Sequence, residues 1–403
     1  MTSPQQGPGS TEAFQLQVEH MASTRPLNVP DIFQRAFFQA LVDRLGDSNF
    51  PVLNTLIAEA LETHPARTVK NIADNIQRCD NNYNLRLSTP GWPLGHHSAR
   101  AKSQFFEDLE AQSQEQKHFQ KNIELNVQTN VPDRGLLLKA AALLLGHKGP
   151  VSMLDIGCSR HHISKKIGAP GSHPYAAYRP IDVMNTIHEQ EANHAASSRF
   201  NNLINNTDLP IGSSIGIDLQ DMLIGTTKRE HDKMREWARS CFYTSEYLYD
   251  FDRIREFDAW EETYLKEVKF FQGDITAFDH DQFRHYFPET RGYDIAYFST
   301  VGYQLGAEGM KAAIENVKPY LRPDGLILLQ DFVEVQDNNR LNFLTNWSKG
   351  SYALYGLDLA REEEGFQKYF TVASGRIGKV ALEPALSKTP AAHALGLHVV
   401  AEF

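Results

Sequence analysis

Cysteine is scarce: three in 403 residues, Cys79, Cys158 and Cys241, far apart and with no C-x-x-C. An odd, dispersed set excludes a disulfide framework and a thiolate zinc site, and it suits a reducing compartment such as the cytoplasm. Basic residues are in deficit, 40 Lys and Arg against 50 Asp and Glu, for a formal charge of −10. A surface of that sign repels a phosphate backbone, so nucleic acid is not an expected partner. Long apolar runs are missing too. The densest stretch, Gly135 to Gly146, is short and carries Lys139, so no membrane span is expected. The opening MTSPQQGPGSTEAF has neither the basic nor the apolar region of a secretory signal. Its Gly/Pro/Ser/Gln bias reads as a disordered tail over residues 1–25. What is present, 41% apolar and 22% charged residues, is the composition of an enzyme-sized globular chain.

Apolar periodicity then divides the chain. Phe33, Ala36, Phe37, Ala40 and Leu41 recur at helical spacing up to Gly46, and Val52, Leu53, Leu56, Ile57, Ala60 and Leu61 do so up to Pro65. A weaker helix carries Val69, Ile72 and Ile76, and a long polar one runs from about Ala101 to Glu124. Between them Asn81 to His97, rich in Asn, Pro and Gly, reads as a loop. Residues 26–125 are thus expected to form an N-terminal helical layer or lid. A helix from about Asp133 to Leu145, apolar on nearly every side, must be buried.

From Val151 the pattern changes to short apolar strands alternating with helices: Val151 to Ile156, Ser214 to Leu219, Val268 to Phe271, Tyr293 to Phe298 and Leu326 to Gln330. That alternation predicts an α/β fold, a Rossmann-like doubly wound and mostly parallel sheet. Tyr352 to Leu359, Phe366 to Ala373 and Val380 to Leu382 add an antiparallel C-terminal edge. The α/β domain is assigned to 126–403, with insertions at about 169–212 and 226–266. The second insertion, dense in charge and in aromatic residues such as Trp237 and Trp260, is expected to be helical and to pack on the sheet.

The chemistry is concentrated at strand ends. Leu154-Asp155-Ile156-Gly157-Cys158-Ser159 puts a carboxylate at the end of a strand, followed at once by a turn of small residues and a helix-like segment. Small residues let backbone approach a ligand, and the carboxylate suits a ligand amine. A nicotinamide fingerprint would instead place G-x-G-x-x-G directly after the strand. Ile215-Gly216-Ile217-Asp218 ends a second strand in a carboxylate suited to two ribose hydroxyls. Gly273-Asp274-Ile275 ends a third, where a carboxylate can accept from an adenine amino group. Tyr293 to Thr300 and the helix–turn–strand Val317 to Leu329 follow in order.

In this order the set resembles the class I S-adenosylmethionine-dependent methyltransferases over about Asn126 to Phe403. Val127 to Asn130, the apolar helix, and Gly216-x-Asp218 before a Trp-bearing segment also resemble, more faintly, a bacterial methyltransferase-like family of unassigned function. The resemblance implies S-adenosylmethionine as cofactor, held by Asp155, Gly157, Ser159, Asp218, Gly273, Asp274, Ile275 and Ser299. It implies methyl transfer to an O, N or S atom of a small molecule, with Tyr303, His161 and Asp331 as catalytic candidates, Thr300 near the methyl, and Gln128, Thr129 and Asn130 over the methionine end. A methyltransferase acting on protein or RNA, or a degenerate fold that binds without turnover, is the alternative. The family's glycines are replaced by Ser159 and His161, and Asp155, Asp218 and Asp274 lie 63 and 56 residues apart, well beyond the ~30 residues of a simple βαβ unit. Asp182, in Arg179-Pro-Ile-Asp182-Val, is a rival for the ribose at shorter spacing.

Other signals are set aside. Gly212-x-Ser214-x-Gly216 matches the nucleophile-elbow pattern, but its apolar run follows the serine where it should precede it. His188, Glu191 and His194 span too wide a helical arc for a metal, and none is expected.

Overall fold

A computed structural model describes residues 14–16, 18–20, 37–63, 69–87, 99–123, 125, 134–158, 182–184, 194–219, 228–241, 269–288, 292–336, 340–343, 352–372, 379–395 and 397. The chain divides into two compact units, Met1–Asn130 with Gly225–Thr263, and Val131–Ile224 with Tyr264–Phe403.

The first unit is helical. After a short helical segment at 37–42 come α1 (Pro51–Thr63), α2 (Val69–Leu87), α3 (Ala99–Ala111) and α4 (Ser113–Ile123). Three expectations change here. The first 25 residues are not all tail: 14–16 and 18–20 are helical, and Phe14 and Val18, one turn apart, are buried. The loop expected over 81–97 begins later, because α2 runs on to Leu87 with Tyr83 buried against the Phe105 ring at 5.6 Å and hydrogen-bonded to Asp108. The long polar helix is two, broken at Gln112. A fourth change concerns the charged insertion. Its helix, numbered α7 below (Lys228–Ser240), belongs to this unit and packs on α2 with Trp237 and Ala238 buried. Its few apolar residues serve a helix neighbour.

The second unit holds the sheet: β1 (Val151–Ile156), β2 (Asp182–Met184), β3 (Ile211–Asp218), β4 (Lys269–Gln272), β5 (Tyr293–Ser299), β6 (Leu321–Gln336), β7 (Arg340–Phe343), β8 (Tyr352–Asp358), β9 (Gln367–Val372) and β10 (Lys379–Leu382). Their order is β2-β10-β9-β8-β6-β5-β1-β3-β4, with β7 paired to the end of β6. From β4 to β6 all neighbours are parallel, and β6-β8-β9-β10 is antiparallel. The fold is therefore α/β, with a mostly parallel half and an antiparallel edge.

Both faces of the parallel half are covered, which is why its strands read as unbroken apolar runs. On one face Val151, Met153, Ile295, Tyr297, Leu326 and Leu328 pack under α5 (Arg134–Leu144) and α6 (His194–Asn206). On the other, Leu154, Ile156, Ile215, Ile217, Phe298 and Leu329 pack with α8 (His280–Tyr286) and α9 (Gly302–Val317). Two short helices, α10 (Pro384–Ser387) and α11 (Pro390–Ala394), complete the first face.

Candidate functional site at the carboxyl ends of the parallel strands

The chain order of the strands creates the site. From β1 it steps outward through β3 to β4, then returns to the other side of β1 for β5 and β6. β1 and β5 are thus the neighbours at which the winding reverses, and open α/β sheets bind ligands in the crevice outside the carboxyl ends at that point. Every strand-end motif of the sequence on these five strands falls on this edge.

Asp155 lies on β1 in register with Gly216 of β3 and Tyr297 of β5, and is 1% exposed. The chain then turns at Gly157, whose φ of 66° and backbone N–H to Ile217 O at 2.8 Å fold it back over β3. A Cβ at Gly157 would stand 2.0 Å from Val301 Cγ1. Glycine is required there twice, by conformation and by the side chain that closes over it.

Asp218 ends β3, partly exposed, beside the exposed Leu219. Its carbonyl accepts the Gly273 N–H at 2.9 Å, tying the ends of β3 and β4 together. Gly273 lies against the Phe271 ring, which a Cβ would meet at 2.5 Å. Asp274 starts a short 3₁₀ turn, Ile275–Ala277, with Ile275 buried. One carboxylate oxygen, Oδ1, accepts from the Thr276 N–H at 2.8 Å and from the Thr276 hydroxyl at 2.7 Å. From α9, the Asn316 side-chain amide donates to the carbonyls of Ile275 and Thr276 at 2.8 and 3.3 Å.

Ser299 ends β5 in register with Gln330 of β6. The Tyr297 hydroxyl donates to Gln330 Oε1 at 2.7 Å, and both side chains are wholly buried. The Ser299 hydroxyl and the Gln330 amide nitrogen are buried without a hydrogen-bond partner, two donors side by side on the face that carries Asp155. Thr300 has φ 53°, among the described residues the sole non-glycine at positive φ, and such strain gathers at functional sites. Two bonds hold it: Thr300 N–H to Gln330 O at 2.8 Å, and Gly302 N–H to Asp331 Oδ2 at 2.7 Å. Asp331 is 0% exposed, so its carboxylate anchors the turn after β5. The hairpin of β6 and β7 runs past this edge and packs on α9.

Asp182 is elsewhere. It begins β2, in register with Lys379 of β10 at the far edge, with five strands between β2 and β1, a separation of roughly 25–30 Å. It cannot share a ligand with Asp155. Ser159, His161, and Gln128 to Asn130 lie outside the described residues, as do His188 and Glu191, and of Tyr303 only the backbone, in the first turn of α9, is described. Gly212, Ser214 and Gly216 all lie within β3, where no nucleophile elbow can form. No cluster that could hold a metal occurs among the described residues, and none of their helices is long and apolar enough to cross a membrane. Sequence reasoning missed Gln330, Val301 and Asn316. Gln330 was legible as a polar residue closing an apolar strand; the other two matter only through contacts that folding creates.

Three carboxylates, Asp155, Asp218 and Asp274, thus stand on adjacent strand ends along one edge of an open α/β sheet. No family model matches the sequence, and a search of curated proteins finds no match. Among solved structures the chain is similar to the plantazolicin methyltransferase BpumL in complex with S-adenosylhomocysteine, at 13% identity over 65% of this chain and 61% of that one, TM-score 0.25. It is also similar to a SAM-dependent methyltransferase from Thiobacillus denitrificans in complex with S-adenosylhomocysteine, at 16% identity over 53% of each chain, TM-score 0.22. A third is a possible exported protein from Bordetella parapertussis, at 13% identity over 83% of this chain and 75% of that one, TM-score 0.28. The chain spans about three-fifths of BpumL's length. At such identities and scores the chemistry rests on this chain's own strand ends.

Proposed function

We propose that this protein binds S-adenosylmethionine in the crevice between β1 and β5 and transfers its methyl group to an O, N or S atom of a small molecule. The observation that carries the reading is the row of carboxylates Asp155, Asp218 and Asp274 on β1, β3 and the turn after β4, beginning at the winding reversal. The acceptor set fits the cofactor: Asp155 for the ammonium, Asp218 for the ribose hydroxyls, and Asp274 for the purine amino group through Oδ2, since Oδ1 is engaged by Thr276. Gly157 gives the backbone a close approach, and Ser159 and Ile275 complete the contacts.

When bound, the cofactor supplies an electrophilic methyl on a positively charged sulfur. The protein's work is to hold an acceptor in line and to exclude water, and it needs no strong base for that. Ser299 and Thr300 lie at the β5 end, with Tyr303 following, and these with His161 are the acceptor-side candidates. Asp331 serves the chemistry through the turn it anchors. A binding protein without turnover is a second reading, favoured by the packing of Val301 on Gly157, which fills space beside the cofactor turn.

Thermal unfolding tests the first reading. S-adenosylhomocysteine at about 100 times its dissociation constant should stabilise the protein by roughly 2.7 kcal/mol. Asp218→Ala should abolish the shift and Asp182→Ala leave it intact. No shift at millimolar ligand would sink the proposal, and labelled methyl transfer into a small-molecule extract separates enzyme from binder.

A further inference from the structure

We infer that Asn316 is a positioning residue for the purine end of the ligand; this rests on the cofactor reading above. Besides its own Ala277 N–H to Asp274 O bond at 3.2 Å, the turn after β4 has three ties that bear on its position. Gly273 N–H binds Asp218 O at 2.9 Å, which fixes the turn to β3. Thr276 engages Asp274 Oδ1 through both its backbone and its hydroxyl, which fixes the rotation of the carboxylate. Asn316 clasps the carbonyls of Ile275 and Thr276 from α9, 40 or more residues away in sequence.

Only the third tie comes from outside the strand ends. The two carbonyls are held by the two hydrogens of one partly buried amide nitrogen, and Gly309, two turns earlier on the same face of α9, lets Thr276 Cγ2 approach the helix to 3.5 Å from where a Cβ would be. The consequence is directional. With Oδ1 bound inside the turn, Oδ2 is the oxygen that remains for a ligand donor, and its position follows the turn that Asn316 holds. At the methyl side of the crevice Gly302, in the first turn of α9, is anchored by Asp331 on β6, and α9 is kinked at Gly306 (φ 67°) before it reaches Asn316.

The test compares S-adenosylhomocysteine with S-inosylhomocysteine, in which the purine 6-amino group is a carbonyl, by calorimetric titration of the full chain. Wild-type protein should prefer the amino form by about tenfold, the worth of one hydrogen bond gained and one repulsion avoided. Asn316→Asp keeps the shape and removes the N–H donors, and Asn316→Ala removes the group. Both should lower the affinity for S-adenosylhomocysteine and bring the ratio of the two affinities towards one. Thr276→Val removes the hydroxyl's bond to Oδ1 while the backbone N–H keeps its own, so it should move both quantities in the same direction by less, and it stands in if an Asn316 variant fails to fold. A ratio unchanged in folded variants would make Asn316 a packing residue and overturn the inference. Equal binding of both nucleosides by wild-type protein would overturn it as well while leaving the cofactor reading in place. Binding of neither would overturn the cofactor reading itself.

Discussion

At the scale of single residues, two positions turn geometry into numbers. Gly157 combines φ 66° with a Val301 methyl 2.0 Å from its absent Cβ. Alanine there meets a conformational cost of about 1–2 kcal/mol and an overpacking cost of about 1–3 kcal/mol. Only the second depends on Val301, so Gly157→Ala combined with Val301→Ala should recover about 1–3 kcal/mol of the loss in urea unfolding. A strictly additive double mutant would show that the two side chains do not meet.

Lys139 is the second, on α5, 0% exposed with its ammonium lacking a hydrogen bond. Burial lowers its pKa from 10.5, against a smaller upward pull from Asp208. The unfolded chain then holds this proton more tightly than the folded one, so stability should rise with pH from the lowered folded value up to about 10.5, and the cost is present in full below that window. Lys139→Met should stabilise the protein at pH 7 by about 1–3 kcal/mol, the cost of an unsatisfied buried group, and flatten the rise. Denaturant titrations at pH 7 and pH 10 check both, and an equal slope in the two proteins would contradict the assignment.

At the scale of elements, the strands at the core were legible and the edges were not. The buried strands β1, β5 and the middle of β6, with only Ser152 of β1 part-exposed, announce themselves as apolar runs, and the carboxylates near the ends of β1 and β3 stand out against them. β2 is three residues long and carries Asp182 in a stretch with no strand pattern; its place depends on pairing with β10, nearly 200 residues later, which no local signal encodes. The same holds for α7, whose Trp237 is an apolar residue in search of a partner that only the fold supplies. An element-level stitch can be measured. Asp294, near the start of β5, accepts the Ser152 N–H of β1 at 2.7 Å and pairs with Arg322 of β6 at 2.6 Å. Asp294 is 10% and Arg322 55% exposed in its side chain. Asp294→Ala should cost about 1.5–3 kcal/mol, since it strands a part-buried N–H, whereas Arg322→Ala should cost less than about 1 kcal/mol, as exposed pairs do. Equal losses would mean the ion pair, and not the strand-to-strand bond, is what Asp294 provides.

At the scale of the whole molecule, everything assigned to the ligand on described residues belongs to one unit and one edge of one sheet. The helical unit and the far edge of the sheet supply none of it. Hydrogen exchange with and without S-adenosylhomocysteine reads this directly, because a bound ligand raises protection where it adds contacts and where it suppresses local opening. Protection should increase in peptides covering 151–158, 213–219, 269–277 and 296–303, the four strand ends around the winding reversal. Among these the amides of 273–276 should gain least, since their turn is already held by Asp274, Thr276 and Asn316 and has little further to order. Peptides over 182–184 and 379–382 should not change, with five and four strands between them and β1. Protection at 182–184 without protection at 213–219 would move the ribose to Asp182 and take the switch-point site with it. A lid formed by the helical layer would add protection within 51–123, so the same data set decides whether that part of the chain closes on the ligand or serves another purpose.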